Sequence, residues 1–194
     1  LVNKLTAIGV RSINNIVDVT NYILHETGQP LHAFDLKAVT GNEIIVKNVE
    51  TGTKFTTLDD KERSLHAEDL MICNANESMC IAGVFGGSKS GVNNETTAIF
   101  LESACFHSTT IRKTSMRHGL RTDAATRFEK GIDISNTANV LKRAALLIKE
   151  VAGGTISCDL IDMYPNPKPK TTVTIKNHYL KKLSGKNYHA DKVK

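Results

Sequence analysis

The sequence predicts an α+β domain. Three observations carry the prediction. A helix-period segment lies near the start, residues 43–105 are built of short alternating or apolar runs, and helix-period segments return from residue 107 onward. Helices and strands segregated along a chain read as α+β.

The first helix is expected over residues 12–28. Ser12 is positioned as its N-cap, and Ile13, Ile16, Thr20 and Ile23 fall on one face. Gly28 suits the residue after the helix end, with Pro30 two positions on. Asn14, Asn15, Asp18 and Asn21 then occupy its other faces. Three Asn in eight residues is unusual for a middling helix former. Solvation explains them, as does hydrogen bonding to a neighbouring loop. In the β region, residues 43–49 alternate apolar and polar, and 54–58 and 63–66 flank Asp59-Asp60 as a hairpin. Residues 70–74, 79–85 and 97–102 read as further strands, with glycines at 83, 86, 87 and 91 between them. Helices follow over 107–118 with Ser108 as cap, over 122–130 with a Thr122-Asp123 start and Gly131 at the end, and over 135–151. The last carries Val140, Leu141, Ala144, Leu147, Ile148 and Val151 on one face and closes at Gly153-Gly154.

Residues 155–164 read as a final strand. Pro165, Pro167 and Pro169 alternate with polar residues, the pattern of a stiff extended linker. The expected domain is therefore 1–164, the linker 165–170, and 171–194 the beginning of a second unit with a strand and a helix around 178–184. That piece is too short to fold alone. The chain starts at Leu1 and ends in a basic segment, as expected of an excised part of something longer.

The 194 residues are 40% apolar and 23% charged, ordinary for a soluble globular protein. Aromatic residues make up only 5% and Trp is absent, which argues against a stacking platform for single strands. A net charge of +5 permits a polyanionic partner without requiring one. Cys73, Cys80, Cys105 and Cys158 contain no Cys-x-x-Cys pair and sit in apolar stretches. Buried reduced thiols are the expectation, which fits a cytoplasmic location, with zinc a distant second. No apolar run approaches the ~20 residues of a membrane helix.

Between Arg112 and Lys130 there are six Lys or Arg and two acids. Within that span, Arg117-His118-Gly119-Leu120-Arg121-Thr122-Asp123-Ala124 joins cations to a helix start. Such a segment suits a phosphate or ribose, while a charge run alone is usually a solvated face. His32 can orient a substrate or water near neutral pH, yet a lone histidine more often bonds to backbone. Gly86-Gly87 allows close ligand approach or is merely a tight turn. The following Ser88-Lys89-Ser90-Gly91 lacks the ending of a nucleotide-binding P-loop. Glu102 ends an apolar strand. Buried it would be costly and functional, and on the other strand face it would simply meet water. Thr122 and Asp123 are explained by capping, which is compatible with ligand contact. No nucleophile elbow and no paired-His metal spacing is present, so any enzyme here positions a water.

Several blocks together resemble a known family. They are Asn14-Asn15-Ile16-Val17-Asp18-Val19-Thr20-Asn21-Tyr22, Gly28-Gln29-Pro30-Leu31-His32-Ala33-Phe34-Asp35, Gly83-Val84-Phe85-Gly86-Gly87, Ser90-Gly91-Val92-Asn93, Leu101-Glu102-Ser103-Ala104 and Arg117 to Ala124 followed by Arg127-Phe128-Glu129-Lys130-Gly131. In this order they resemble the editing domain of bacterial phenylalanyl-tRNA synthetase beta subunits, over residues 1–163. Residues 171–194 look like the opening of the module that follows there.

The resemblance implies a three-layer β/β/α architecture with mixed sheets flanked by helices. It implies hydrolysis of tyrosine wrongly attached to tRNA(Phe), within an enzyme that joins phenylalanine to that tRNA using ATP and magnesium. Those cofactors belong outside this fragment, and editing itself takes none. The implied partners are tRNA(Phe) and an alpha subunit, in an α2β2 heterotetramer, with no membrane. The implied pocket is His32, Gly86, Glu102, Thr122 and Ala124. Ser103 and Ala125-Thr126 vary only beside the motif positions. Glu102 and the Gly86 backbone would take the phenol oxygen, His32 and Thr122 the ester end, and Ala124 would keep the pocket open. Arg112, Lys113, Arg117, Arg121 and Arg127 are candidates for tRNA contact. Two other readings stay open: a module that binds RNA or tyrosine without turnover, and a scaffold for a larger assembly.

Overall fold

The computed structural model describes residues 1–193. They form two units, one from Leu1 to Leu160 and one beginning at Ile161. The first unit is α+β, as the sequence predicts. Its helices are α1 (Val2–Ala7), α2 (Asn15–Thr27), α3 (Ser108–His118), α4 (Asp123–Lys130) and α5 (Thr137–Ala152). Its strands are β1 (Leu31–Asp35), β2 (Ile45–Asn48), β3 (Lys54–Thr56), β4 (Glu62–Ser64), β5 (Leu70–Cys73), β6 (Ser78–Ile81), β7 (Phe85–Gly86) and β8 (Ile99–Ser103).

Every pairing between these strands is antiparallel. β1 pairs with β8, β3 with β4, and a four-stranded sheet runs in the order β2, β5, β6, β7. The run expected as one strand over 79–85 is two strands, because the chain turns at Gly83 with φ +67°. A side chain there would also meet the Phe106 ring at 2.7 Å, so glycine serves both the turn and the packing.

Strand alternation sorts side chains into three cores. Leu31 and Leu101 point outward from the β1 and β8 ribbon and pack with Val19 and Ile23 of α2 and Val140, Ala144 and Leu147 of α5. Phe34 and Phe100 point the opposite way and pack with Ile72 of β5, Met79 and Cys80 of β6. On the far side of the four-stranded sheet, Met71, Cys73 and Ile81 meet Ile111 of α3, Leu120, and Ala125 and Phe128 of α4. Two β layers are thus stacked face to face, with α3 and α4 on one outer face and α2 and α5 on the other. Each fully buried large side chain contributes about 1.5–3 kcal/mol to holding the layers together.

Several local expectations change. Helix α2 begins at Asn15 with Asn14 as cap, its side chain accepting from the Val17 amide at 2.9 Å. Ser12 instead donates to Asp18 at 2.5 Å, and the same carboxylate accepts from the Ile13 amide at 2.9 Å. Asp18 is therefore buried rather than solvated, and Ile13, 68% exposed, lies outside the apolar stripe. Gly28 does end the helix in the left-handed region. Helix α3 follows a cap position at His107, not Ser108, and no side chain caps it. The buried stripe of α5 stops before Val151, which is exposed. Cys73 and Cys80 are buried, but Cys105 and Cys158 are exposed. Residues 155–164 and 171–176 form no strand, since no partner strand pairs with them among the described residues. The second unit contains helix α6 (Asn177–Ser184), closed by Gly185 in the left-handed region.

Candidate active site

His32 and Glu102 are directly opposed across the β1 and β8 pair. Opposed residues in an antiparallel pair carry their Cβ atoms ~4.5–5.5 Å apart on one face. His32 shares its face with Phe34, whose ring meets the imidazole edge-on at 4.4 Å between centroids. Glu102 shares its face with Phe100. Both faces look into the space between the β layers; the two residues are half-buried, with Glu102 Oε2 and His32 Nε2 fully shielded.

Among the described residues, these two hold the buried side-chain nitrogen and oxygen atoms that lack a hydrogen-bond partner. His32 Nε2 and Glu102 Oε2 are shielded and have no hydrogen-bond partner. Burial pushes the Glu102 carboxyl up from 4.5 to about 7, and pushes His32 down from 6.5 to about 4. Desolvation disfavours the charged form of each, so the two move in opposite directions. Near neutral pH the imidazole is neutral and the carboxyl stands between its two forms. Buried polar atoms without partners are rare, and two on adjacent strands mark a place where a ligand's polar atoms fit.

Gly86 belongs to the same site. A Cβ built there would stand 3.0 Å from His32 Cε1 and 2.8 Å from Leu58 Cδ1. The bare backbone lets histidine and strand β7 meet. Thr122 caps α4, accepting from the Ala125 amide at 3.1 Å, and its hydroxyl donates to the Val84 carbonyl at 2.8 Å. That bond ties the start of α4 to the turn that carries Gly86. Ala124, in the first turn of α4, packs on the core beneath. One contact chain therefore runs from Glu102 and His32 to Gly86, Val84, Thr122 and Ala124.

The structure also brings in residues that sequence reasoning missed. Leu58, 48% exposed, lies over both Gly86 and Gly91, and its amide donates to the Gly86 carbonyl at 3.0 Å. Cys80 pairs with Gly86 across β6 and β7, and its thiol lies 3.4 Å from the Ile81 and Phe85 carbonyl oxygens. Burial, and then the Glu102 charge, push this thiol well above its usual range, so it is inert. The placement of Leu58 in a hairpin beside Asp59-Asp60 gave no hint, because its contacts come from two remote glycines.

The five cations separate into two groups. Arg117 is bound to Asp69 and, at 2.7 Å, to Glu68, while Lys113 lies 3.5 Å from Glu68. Arg112, Arg121 and Arg127 are exposed and have no ion-pair partner among the described residues. Two open clefts lie away from the opposed pair. One of about 400 Å³ is lined by residues including Lys47, Phe55, Glu77 and Lys89, and one of about 270 Å³ by residues including Gly28, Arg127 and Lys130. Neither includes His32, Gly86, Glu102 or Thr122. Shielded atoms without partners, rather than void volume, distinguish the opposed pair.

Known proteins show the family. Residues 1–153 match the family model of the B3/4 domain. The chain is 53% identical over 194 residues to the phenylalanine–tRNA ligase beta subunit of Bacteroides fragilis, covering 100% of this chain and 24% of that protein. It is 60% identical over 163 residues to the subunit of the same name from Bacteroides thetaiotaomicron, covering 84% of this chain and 20% of that one. The Geobacter metallireducens subunit of that name is 46% identical over 193 residues, 24% of its length. The chain thus spans about a quarter of the length of the curated relatives it matches. The residues that build the site lie within the matched segment, and the chain belongs to the B3/4 domain family.

Proposed function

We propose that this domain hydrolyses tyrosine from tRNA(Phe), as the editing part of a phenylalanine–tRNA ligase beta subunit. In that reading the whole enzyme charges tRNA(Phe) with phenylalanine using ATP and magnesium, with an alpha subunit as partner. The observation that carries it is the opposed pair of His32 and Glu102, each with a shielded polar atom lacking a partner.

Tyrosine differs from phenylalanine by one hydroxyl. An apolar pocket elsewhere rejects an added hydroxyl only weakly, so a second site that rewards it is useful. Glu102 supplies the reward in either protonation state. The carboxylate accepts from a phenol, and the carboxylic acid donates to it. Phenylalanine offers neither, and leaves a buried polar group unpaired at a cost of about 1–3 kcal/mol. That is roughly 5- to 150-fold in discrimination. The Gly86 backbone assists at the same oxygen.

His32 works at the ester end. With its pKa near 4 it is neutral at working pH and can accept from a water, but it is a weak base there. Its role is therefore to hold the water more than to take its proton. Thr122 has already donated to Val84 and accepted from Ala125, so its oxygen retains one lone pair for a ribose hydroxyl or the water. The water oxygen bonds to the ester carbonyl carbon, the bond to the ribose oxygen breaks, and that oxygen leaves as a hydroxyl with a water-derived proton. An aminoacyl ester is activated enough for a held water to suffice. Arg112, Arg121 and Arg127 remain as candidate backbone contacts for the RNA.

The test is single-turnover deacylation by the full-length subunit in its assembly, with tyrosyl-tRNA(Phe) and phenylalanyl-tRNA(Phe) as substrates. Faster loss of the tyrosyl ester supports editing. Tyrosine binding without turnover would make the domain a binding module, and neither would leave a scaffold.

A further inference from the structure

We infer that Arg117 and His118 clamp the buried Asp69 carboxylate and so position the Thr122 end of α4, which makes Arg117 and His118 positioning residues of the hydrolytic site and not RNA contacts. The inference rests on the reading of Thr122 given above.

Asp69 lies in the loop before β5, and its side chain is fully buried. It has four partners. Oδ1 accepts from Thr114 Oγ1 at 2.9 Å and from the Arg117 guanidinium. Oδ2 accepts from the His66 amide at 2.9 Å and lies 2.6 Å from His118 Nε2. Three of these partners, Thr114, Arg117 and His118, lie on the last turns of α3. A carboxylate inside a protein needs such partners, and removing one leaves an uncompensated buried group. The second face of Arg117 is held by Glu68. Asp69 and Glu68 together offset the guanidinium's charge and fix its orientation, which leaves it a weaker attractor for phosphate than an unpaired arginine. Arg112, Arg121 and Arg127 carry no such obligation.

The backbone of His118 is fixed as well. Its carbonyl accepts from Arg63 Nη1 at 3.0 Å, and Arg63 also donates to Thr57 and Asp59 in the β3 and β4 hairpin. From there Thr122 is four residues away. Gly119 ends α3 in the left-handed region. The Leu120 amide donates to the Ser115 carbonyl at 2.9 Å, and Ser115 Oγ donates to the Leu120 carbonyl at 2.5 Å. The Leu120 side chain is buried against Ala125 and Phe128. Only Arg121 intervenes before Thr122, which reaches Val84 beside Gly86. The same Asp69 leads directly into β5, whose neighbour β6 continues to that turn. Asp69 thus anchors both walls that meet at Thr122 and Val84.

The test compares Asp69→Asn, His118→Ala, His118→Gln, Thr114→Val and Arg117→Gln in the full-length subunit within its assembly. Deacylation kcat and KM are read for tyrosyl-tRNA(Phe), with the salt dependence of tRNA binding. Expected for His118→Ala is a kcat lower by about tenfold to a hundredfold with KM unchanged, the scale of an ångström-level misplacement. His118→Gln keeps a donor and restores most of the rate. Thr114→Val removes one partner without a charge, which keeps a test available if Asp69→Asn fails to fold. Arg117→Gln leaves the salt slope unchanged. The inference is overturned if Arg117→Gln raises KM at constant kcat and lowers the salt slope by about 0.7, the signature of one lost contact to single-stranded phosphate. It is overturned too if the folded clamp variants keep wild-type kcat while Thr122→Val abolishes turnover. Absence of turnover in the wild type would instead sink the functional reading itself.

Discussion

Replacing Glu102 by Gln is expected to stabilise the domain at neutral pH and to leave it nearly unchanged at pH 4. Burial holds the Glu102 carboxyl near 7, against an ordinary value of 4.5. Between those two values the native state keeps a proton that the unfolded chain has released. Stability is therefore fully present below about 4.5 and is lost as pH rises through 7. The whole loss is about 3 kcal/mol, since each tenfold in proton affinity is worth about 1.4 kcal/mol. A glutamine has the shape of the protonated acid and does not ionise, so it escapes the loss. For a chain of this size, 3 kcal/mol corresponds to a rise in Tm of roughly 6–12 °C at pH 8. The assay is thermal or urea unfolding of wild type and Glu102→Gln from pH 4 to pH 8. His32 titrates in part of this window but is common to both proteins, so it drops out of the difference. A stability difference that is the same at pH 4 and pH 8 would refute the burial argument for Glu102.

Three further outcomes follow from the same geometry. His32→Gln should show the mirror image: its imidazole is held near 4, so wild type loses stability as pH falls from 6.5 to 4, and the variant, unfolded in urea across that window, should not. Gly86→Ala should lower tyrosyl ester hydrolysis and cost less stability than Gly87→Ala, because its Cβ meets the side chains of Leu58 and His32 and no backbone atom. Gly87→Ala should cost about 1–3 kcal/mol in a chemical melt, because its Cβ would stand 2.6 Å from the Met79 carbonyl, which is backbone. Gln at Arg112, Arg121 or Arg127 should reduce the slope of log affinity against log salt by about 0.7 for each cation that meets a single-stranded phosphate.

Much of the fold was legible because its signals are local. Gly28, Gly131 and Gly153 mark helix ends through the residues beside them, and Thr122 caps α4 through an amide three residues on. What could not be read depends on distant pairing. Residues 31–35 follow a proline and include His32 and Asp35, and they show too little alternation to be assigned to any element from sequence. They become β1 only by pairing with β8, some seventy residues away in sequence. Residues 155–164 alternate as a strand should, yet no neighbour pairs with them among the described residues.

The site shows the same division. Alternation left two faces open to Glu102, and the stacking of a second β layer over the first decides for the interior. Arg117 reads as a free cation in sequence, whereas its buried partner Asp69 lies 48 residues earlier. The blocks that resemble the editing domains do contain His32, Gly86, Glu102, Thr122 and Ala124. Leu58 and Cys80 were missed because neither residue type suggests a ligand, and only three-dimensional proximity to Gly86 brings them forward.

The most direct measurement is the rate of tyrosyl-tRNA(Phe) hydrolysis by the full assembly carrying Glu102→Ala, beside wild type, with phenylalanyl-tRNA(Phe) as control. If Glu102 rewards the phenol hydroxyl, the tyrosyl rate falls toward the phenylalanyl rate, by roughly 5- to 150-fold. If the preference for the tyrosyl ester persists undiminished, the buried carboxyl is not the specificity element, and the account of the site built around it is wrong.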